Sequence, residues 1–414
     1  MELAYSSIEG KSKKYKVALA ALVVLALAGF ACFIISYLSG HQVFGSNNAV
    51  PWGLPIVMAI YLIGLSAGSL ILSSLTYVFG REEYKPIARA AVFLAVVLIF
   101  GAMIFIALDL GRPEKFWRLF MFFYLNNMTS MFAINGILYG GYFVISLAYL
   151  GVIFSGNTKI SRIMGIVAVS WAILVHMGTG AIFGFIEARE IFNSPIKPIE
   201  FLAAAMESGL ALLILMVYLS LKLAKRKLDK GVIFSLARLF LIVTVVLFIL
   251  VLVDKLTHIY SPNRGAVMFL LTGPYSMYFW AQVGLAYIVP IAILVHPKAG
   301  RTIKGVLIAA TSAVVGIFFE RFALVIPGAA QPLHYYPGHI EGIWGAVGPF
   351  PFMPVEIILT IGMTGLVGLL YLMGLKLFEL LPAEKEVIEV VEVVEEVEAV
   401  KEVGEAEKPE SEEA

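Results

Sequence analysis

The sequence predicts an all-α, polytopic membrane protein of about ten transmembrane helices, built as two tandem four-helix bundles with a flanking helix at each end. Three observations carry this expectation. Of the 414 residues, 60% are apolar and 14% charged, whereas soluble domains are about a quarter charged. Apolar stretches of about 20 residues or more, long enough to cross a hydrocarbon core of about 30 Å, recur along the chain. The order of small and acidic residues in the first half also returns in the second.

The first stretch, 17–38, follows Lys11, Lys13, Lys14 and Lys16. It exceeds the apolar core of a signal peptide, about 7 to 15 residues, and no small-x-small pattern precedes Ser39-Gly40-His41, so it reads as a retained helix. It holds Cys32, the single cysteine. One thiol excludes an intramolecular disulfide, a four-cysteine cluster and a thiolate zinc site within the chain; Cys32 reads as a small buried thiol. Nine further stretches follow at 53–79, 87–110, 128–154, 163–186, 199–223, 232–256, 275–295, 303–326 and 355–381.

The third stretch closes on Asp109-Leu110-Gly111-Arg112-Pro113, followed by Glu114-Lys115-Phe116-Trp117. Gly111 and Pro113 stop the helix. A carboxylate at the negative end of a helix needs compensation, and Arg112 is the expected partner. The pair either fixes a helix end or shapes a binding site.

Basic residues divide unevenly between the loops. Lys11 to Lys16, Arg81, Lys85, Arg89, Lys159, Arg162, Lys222 to Lys230, Lys298, Arg301 and Lys304 fall on the side of the N-terminus; Arg112, Lys115, Arg118, Arg189, Lys197 and Arg264 fall on the other. Both termini are therefore expected in the cytoplasm of a cell-membrane protein, with the Asp109 motif outside. From about Pro382 the composition changes to 13 glutamates and 3 lysines; without that tail, 27 basic side chains face 16 acidic ones. The tail reads as a solvated extension or as a partner-binding helix. The expected segments are 1–50 (N-terminus and first helix), 51–190 and 191–330 (the two bundles), 331–381 (outer loop and last helix) and 382–414 (acidic tail).

The repeat pairs Gly64-Leu65-Ser66-Ala67-Gly68-Ser69 with Met206-Glu207-Ser208-Gly209-Leu210-Ala211, Asp109 with Asp254, and Ser130-Met131-Phe132 with Ser276-Met277-Tyr278. The small residues suit close helix packing as well as chemistry.

Ionisable groups inside a bilayer are costly and mark candidate functional positions. His176 lies about 21 Å beyond Arg162 on an outward-running helix, placing it in the outer half of the membrane. Glu207 and Gln282 lie early on inward-running helices, and Asp109, Asp254, Glu320 and Arg321 near the outer ends of outward-running ones. Asn135, Tyr139 and Tyr142 extend the set into a polar basin open to the outer face. Glu320 and Arg321, as neighbours on a helix, point about 100° apart and need not pair. His176 is either a packing residue or a proton acceptor, and Glu207 is expected to carry a proton. No metal-ligand spacing, facing histidine pair for haem b, phosphate loop or nucleic-acid-binding feature appears.

The Gly64 to Ser69 run, followed by a helix closing on Asp109 to Trp117, resembles the polysulfide reductase membrane-subunit (NrfD/PsrC) family over roughly 51–327. The ten-helix length is similar to the branch with DsrP, HybB and the integral subunit of Hdr-like menaquinol oxidoreductases. The resemblance implies two four-helix bundles, no haem or iron–sulfur cluster in this chain, and menaquinone or menaquinol bound near the outer face. It further implies an extracytoplasmic iron–sulfur partner, with a c-type cytochrome and further membrane or cytoplasmic redox subunits as additional partners. Pro55 and Ala59 stand where the polysulfide reductase member carries an asparagine and a histidine at its quinone, so contacts are expected from other residues. The resulting expectation is a menaquinol-oxidising subunit with no redox centre of its own. In it Asp109, Arg112, Asn135, Tyr139, Tyr142 and His176 bind the quinone, Tyr139 or Tyr142 donating to a carbonyl, while His176, Glu207, Asp254, Glu320 and Arg321 handle protons. A secondary transporter and a passive anchor for a peripheral enzyme remain as alternatives.

Overall fold

The computed structural model describes residues 4–78, 80–118, 121, 129–226, 230–262, 264–333, 340 and 342–383. The acidic tail beyond 383, and His334 and His339 of the outer loop, lie outside the described residues.

Ten helices long and apolar enough to cross a membrane run through the described residues. They are α1 (Lys13–Ser39), α2 (Leu54–Tyr77), α3 (Lys85–Asp109), α4 (Met131–Phe154), α5 (Thr158–Gly184), α6 (Lys197–Ala224), α7 (Lys230–Tyr260), α8 (Ser276–Val295), α9 (Ile303–Ala330) and α10 (Pro354–Leu377). The chain is thus a multi-pass, all-α membrane protein. In a lipid interior, helices of this length satisfy their own backbone hydrogen bonds.

Local chemistry sets the ends. Ser12, Asn157 and Thr302 cap α1, α5 and α9 by accepting from the N–H groups of Tyr15, Ile160 and Gly305, and prolines open α2, α3, α6 and α10, where a missing N–H costs nothing. Within α8, a π-helical turn spans Val283–Ile288 just before Pro290. The proline ring cannot donate, and the widened turn accommodates it.

Helices α2, α3, α4 and α5 pack in a closed ring, and α6, α7, α8 and α9 form a second. The two rings meet where α2 and α5 contact α6, and α2 contacts α9. At the α2–α6 crossing, a Cβ built on Gly68 would lie 2.5 Å from the Cα of Gly209, and one on Gly209 would fall closer still to the Cα of Gly68. These glycines belong to the two segments that the sequence repeat pairs, so the repeated segments touch one another. Helices α1 and α10 are far apart in the chain but pair through an equivalent approach of Gly29 and Gly362, with α10 lying on α3.

The termini meet on one side of the bundle. Tyr5–Ser6 (β1) and Leu381–Pro382 (β2) form a two-stranded antiparallel ladder. Arg226 donates to the carbonyl oxygens of Ser6, Ser7 and Pro382, joining the end of α6 to both strands.

A side chain at the α2–α6 crossing has nowhere to go. Gly209→Val is expected to cost at least about 1–3 kcal/mol by overpacking, read as a lower thermal midpoint for the detergent-solubilised protein. Gly151→Ala, on α4 with open space around it, should leave the midpoint unchanged or raise it slightly.

Candidate functional site

At the end of the first bundle opposite the termini, α2 to α5 enclose a cavity of about 200 Å³. Its walls are aromatic and aliphatic. Trp52, just ahead of α2, stands 5.7 Å from Phe132 and 5.8 Å edge-on from Phe183 by ring centroids, and Phe116 lies on the rim. Ala59 and Ile63 of α2 and Met103 and Ile106 of α3 complete the apolar lining. The polar lining residues are Asp109, Asn135 and Tyr139, three of the residues singled out from the sequence.

The hydrogen bonds of these side chains fix what they offer a ligand. Asn135 donates both amide hydrogens to the protein, to Met131 O at 2.8 Å and Gly178 O at 2.9 Å, while its Oδ1 is buried with no partner among the described residues. Thr179 donates to Val175 O at 2.7 Å, so the 2.9 Å contact between Tyr139 Oη and Thr179 Oγ1 uses the phenolic hydrogen of Tyr139. Tyr139 therefore retains a lone pair and no free hydrogen, whereas the sequence reading made it a donor. Asp109 adds a carboxyl group.

Among the described residues Arg112 makes no ion pair with Asp109, and it is exposed. Gly111, at φ +66°, turns the chain away at the helix end, and Arg112 follows it out. Asp109 instead faces Glu356 at the start of α10. Glu356 accepts from Leu54 N at 2.6 Å and Gly45 N at 2.8 Å, which ties the segment carrying Trp52 to α10. Sequence reasoning missed Glu356, although an acid in the first turn of a helix is a recognisable signal.

Tyr142 and His176 lie behind the cavity, outside its lining. Tyr142 pairs with Ser66 Oγ of α2 at 3.1 Å. His176 bridges α5 and α2, with Nδ1 2.6 Å from Ala172 O and Nε2 2.9 Å from Ile63 O. Ile63 lines the cavity, so His176 sits one residue removed from it.

The remaining sequence candidates gather in the second bundle. Asp254 receives Lys197 Nζ at 3.2 Å, Lys255 Nζ at 2.8 Å and the Ser194 hydroxyl, and His258 Nδ1 lies 3.6 Å away. Lys197 also reaches Glu200 at 2.7 Å. Lys197, grouped with the loop bases from the sequence, is only 3% exposed; the Lys-Pro-x-Glu order at 197–200, with its i,i+3 ion pair, marks a helix start rather than a solvated loop. Glu320 and Arg321, which as neighbours need not pair, do pair at 3.2 Å, and Arg321 lies 4.0 Å over the ring of Phe201. Neither carboxyl oxygen of Glu207 has a hydrogen-bond partner among the described residues. A cavity of about 30 Å³, touched by Lys197, Glu200, Lys255, Gln282 and Glu320, has room for about one water. The polar basin expected from the sequence is therefore two groups, one in each bundle.

Among the described residues no group of three or more His, Cys, Asp or Glu side chains is placed to hold a metal ion, and Cys32 is buried and free.

A helical membrane protein with an aromatic-walled, largely apolar cavity at one end of its first bundle, bordered by Asp109, Asn135 and Tyr139, is the class that this architecture defines. The family described as Polysulphide reductase, NrfD matches residues 42–332, and the chain belongs to that family. It is 37% identical over 374 residues to the Hdr-like menaquinol oxidoreductase integral membrane subunit of Archaeoglobus fulgidus, covering 88% of this chain and 93% of that one. It is 30% identical to the C subunit of the selenate reductase of Mesobacillus selenatarsenatis, over 78% of this chain and 83% of that one. Identity to the C component of the polysulfide reductase of Wolinella succinogenes is 24%, over 70% of this chain and 98% of that one.

Removing one side of the Asp254 network strands buried charge on the others. Asp254→Ala is expected to destabilise the solubilised protein by about 3–5 kcal/mol, whereas Arg112→Ala should stay within about 0.5 kcal/mol of the parent; thermal unfolding of both variants checks the contrast.

Proposed function

We propose that this chain is the quinone-reactive integral membrane subunit of a multi-subunit oxidoreductase, that it oxidises menaquinol, and that it passes electrons to an iron–sulfur subunit seated over the cavity. The observation that carries this reading is the apolar, aromatic-walled cavity on which three polar residues, Asp109, Asn135 and Tyr139, converge. A hydroquinone presents two O–H donors, and Asn135 Oδ1, the lone pair of Tyr139 and the carboxyl of Asp109 are complementary to them. An oxidised quinone presents only carbonyl acceptors and would find few donors here. The names of relatives support a menaquinone-pool substrate, though not one direction: a menaquinol oxidoreductase subunit in Archaeoglobus fulgidus and a menaquinone reductase subunit in Nitratidesulfovibrio vulgaris.

In this reading the flat head group lies against Trp52 and Phe183, which exclude water and hold it edge-on to Asn135. Oxidation of the quinol to the quinone releases two electrons and two protons. Asp109, the carboxyl group on the cavity wall, accepts a proton as an electron leaves; Asn135 and Tyr139 orient the hydroxyls by accepting from them. His176 supports the α2 wall through Ile63. Glu207, Asp254, Glu320 and Arg321 belong to the second bundle and do not line the cavity, so their part in proton handling is separate from contact with the quinol.

By the distribution of basic residues, the termini face the cytoplasm and the cavity faces outward, so protons are released on the outer side. The division at 1–50, 51–190, 191–330, 331–381 and 382–414 then separates a flanking pair, a quinol-binding bundle, a second bundle and an acidic cytoplasmic tail. A c-type cytochrome or further redox subunits take the electrons onward.

Ala59→Trp fills the cavity from α2. In complex purified from membranes it is expected to lower menaquinol-analogue oxidation at least tenfold, on the scale of a lost binding site, while the thermal midpoint stays near the parent's. Binding of the analogue should quench Trp52 fluorescence, with Trp52→Phe as control. Unchanged oxidation by a folded Ala59→Trp variant would sink the assignment of this cavity.

A further inference from the structure

We infer that the apolar groove between α3, α4 and α10 is the track that holds the polyprenyl tail of the quinol. This rests on the reading of the cavity as a quinol site, and it extends that site from the head group to the chain that anchors it in the membrane.

The cavity is too small for a whole membrane quinol. Pockets that enclose a drug-sized ligand measure about 300–1,000 Å³, and this one, at about 200 Å³, accommodates a head group, so the tail must leave it. The walls decide where. Ala59, Ile60 and Ile63 of α2 and Ile182 and Phe183 of α5 are buried, whereas Leu110 at the end of α3 and Phe132 of α4 are the most exposed lining residues, at 41% and 48%. The side of the cavity that meets lipid is therefore the seam between α3 and α4.

That seam leads to the groove. On α3, Leu110 and Met103 line the cavity, and Phe100, Val96 and Phe93 line the groove; their spacing by three, four and seven residues puts them on one helix face. On α4, Phe132, Gly136 and Tyr139 line the cavity, and Phe143, one turn on, lines the groove. The two sets meet at Phe100 and Phe143, whose rings stack at 5.8 Å between centroids. Phe100 is exposed, so the passage from cavity to groove runs along the membrane-facing surface and needs no tunnel.

The groove has a volume of about 340 Å³ and an apolar lining throughout. Its far wall is α10, through Leu370, Met373 and Leu377. A Cβ on Gly374 would collide with the Phe93 ring, so glycine there lets that ring lie against the α10 backbone. These α10 residues lie outside the 42–332 stretch matched by the family, which makes the wall a contribution of the flanking helix. From Ile106 to Phe93 the track runs about 20 Å along α3 at 1.5 Å per residue, inside a hydrocarbon core of about 30 Å. Continuity with the cavity identifies the occupant. A phospholipid chain or a partner's helix would fit an apolar groove anywhere on the membrane surface, but a quinol tail has to start at the lipid side of the cavity.

The test uses intact complex carrying Met373→Trp, which fills the groove from α10, with oxidation of a long-tailed menaquinol and of a tailless naphthoquinol measured in the same detergent. A tail contact is made equally in the ground and transition states, so its loss raises KM and leaves kcat. Relative to the parent, KM for the long-tailed quinol is expected to rise about tenfold, on the scale of roughly two methylene groups lost from burial. Its kcat, and both constants for the tailless quinol, should stay within about twofold. Leu377→Trp, farther along the groove, should act in the same direction and gives the reading if Met373→Trp melts early. Folded variants with the parent's KM for the long-tailed quinol, as expected if a phospholipid chain or a partner's helix fills the groove, overturn the proposal. An equal loss with both quinols also overturns it, by placing the effect at the head group. If Ala59→Trp leaves oxidation of both quinols unchanged, the quinol site itself is wrong.

Discussion

The backbone contact of Gly68 with Gly209 is the constraint on which the rest depends. Two helices can approach to this distance only where neither carries a side chain, and the approach places α2 at the centre of the molecule. From there α2 serves both bundles. One of its faces supplies Ala59 and Ile63 to the cavity wall; its Gly64 lies near Arg321 and Ser208 of the second bundle. Ser66 meets Tyr142 and the Ala95 carbonyl, and the Ile63 carbonyl meets His176. A protein that could not close this crossing would lose the cavity together with the interface, because α2 forms a wall of both.

The Asp254 network and the first-bundle cavity treat buried polarity in different ways. Around Asp254 each charge has its counterpart: Lys197, Lys255, Ser194 and Glu200 saturate one another, as a buried ionic group must be saturated if it is not to cost several kcal/mol. That arrangement is a fastening, holding the start of α6 to the end of α7. In the first bundle the hydrogens of Asn135 and Tyr139 are turned inward to the protein, and lone pairs are left over at the cavity. Unpaired acceptors are costly in a dry site, and a ligand with two hydroxyl groups relieves that cost. The distinction between the Asp254 network and the cavity wall thus lies in which hydrogen bonds are already made rather than in residue type.

This explains what was legible in the sequence and what was not. The helices were legible because each is a run of apolar residues with polar breaks, and the suitability of the Gly64 to Ser69 run for close packing because such an approach tolerates so few residue types; that Gly209 is the partner of Gly68 was not. Asp109, Asn135 and Tyr139 were found because polar groups at similar depth on neighbouring helices converge when the helices pack. The partner of Asp109 was not legible. Sequence proximity favours Arg112, but a left-handed Gly111 reverses the chain at that point, and the carboxyl meets Glu356, far along the chain on a helix whose place in the bundle depends on Gly29 and Gly362. The buried state of Lys197 was equally hidden, since a lysine beside a helix start is ordinarily solvated, and Asp254, arriving from α7, joins Glu200 in compensating its burial. The donor assigned to Tyr139 failed for a related reason: the direction of its hydrogen is decided by Thr179 on α5, which the composition of α4 does not reveal.

Helices α1 and α10 therefore do more than flank the bundles. Their pairing brings the turn at His41 and the carboxyl of Glu356 to the end of α3, beside the cavity. A hydrophobic pair whose only task was to cover α3 would need no buried carboxylate gripping two backbone N–H groups, nor glycines at 45 and 53 to let it do so. The polar side chains at that junction are arranged with the geometry of a fixed structure.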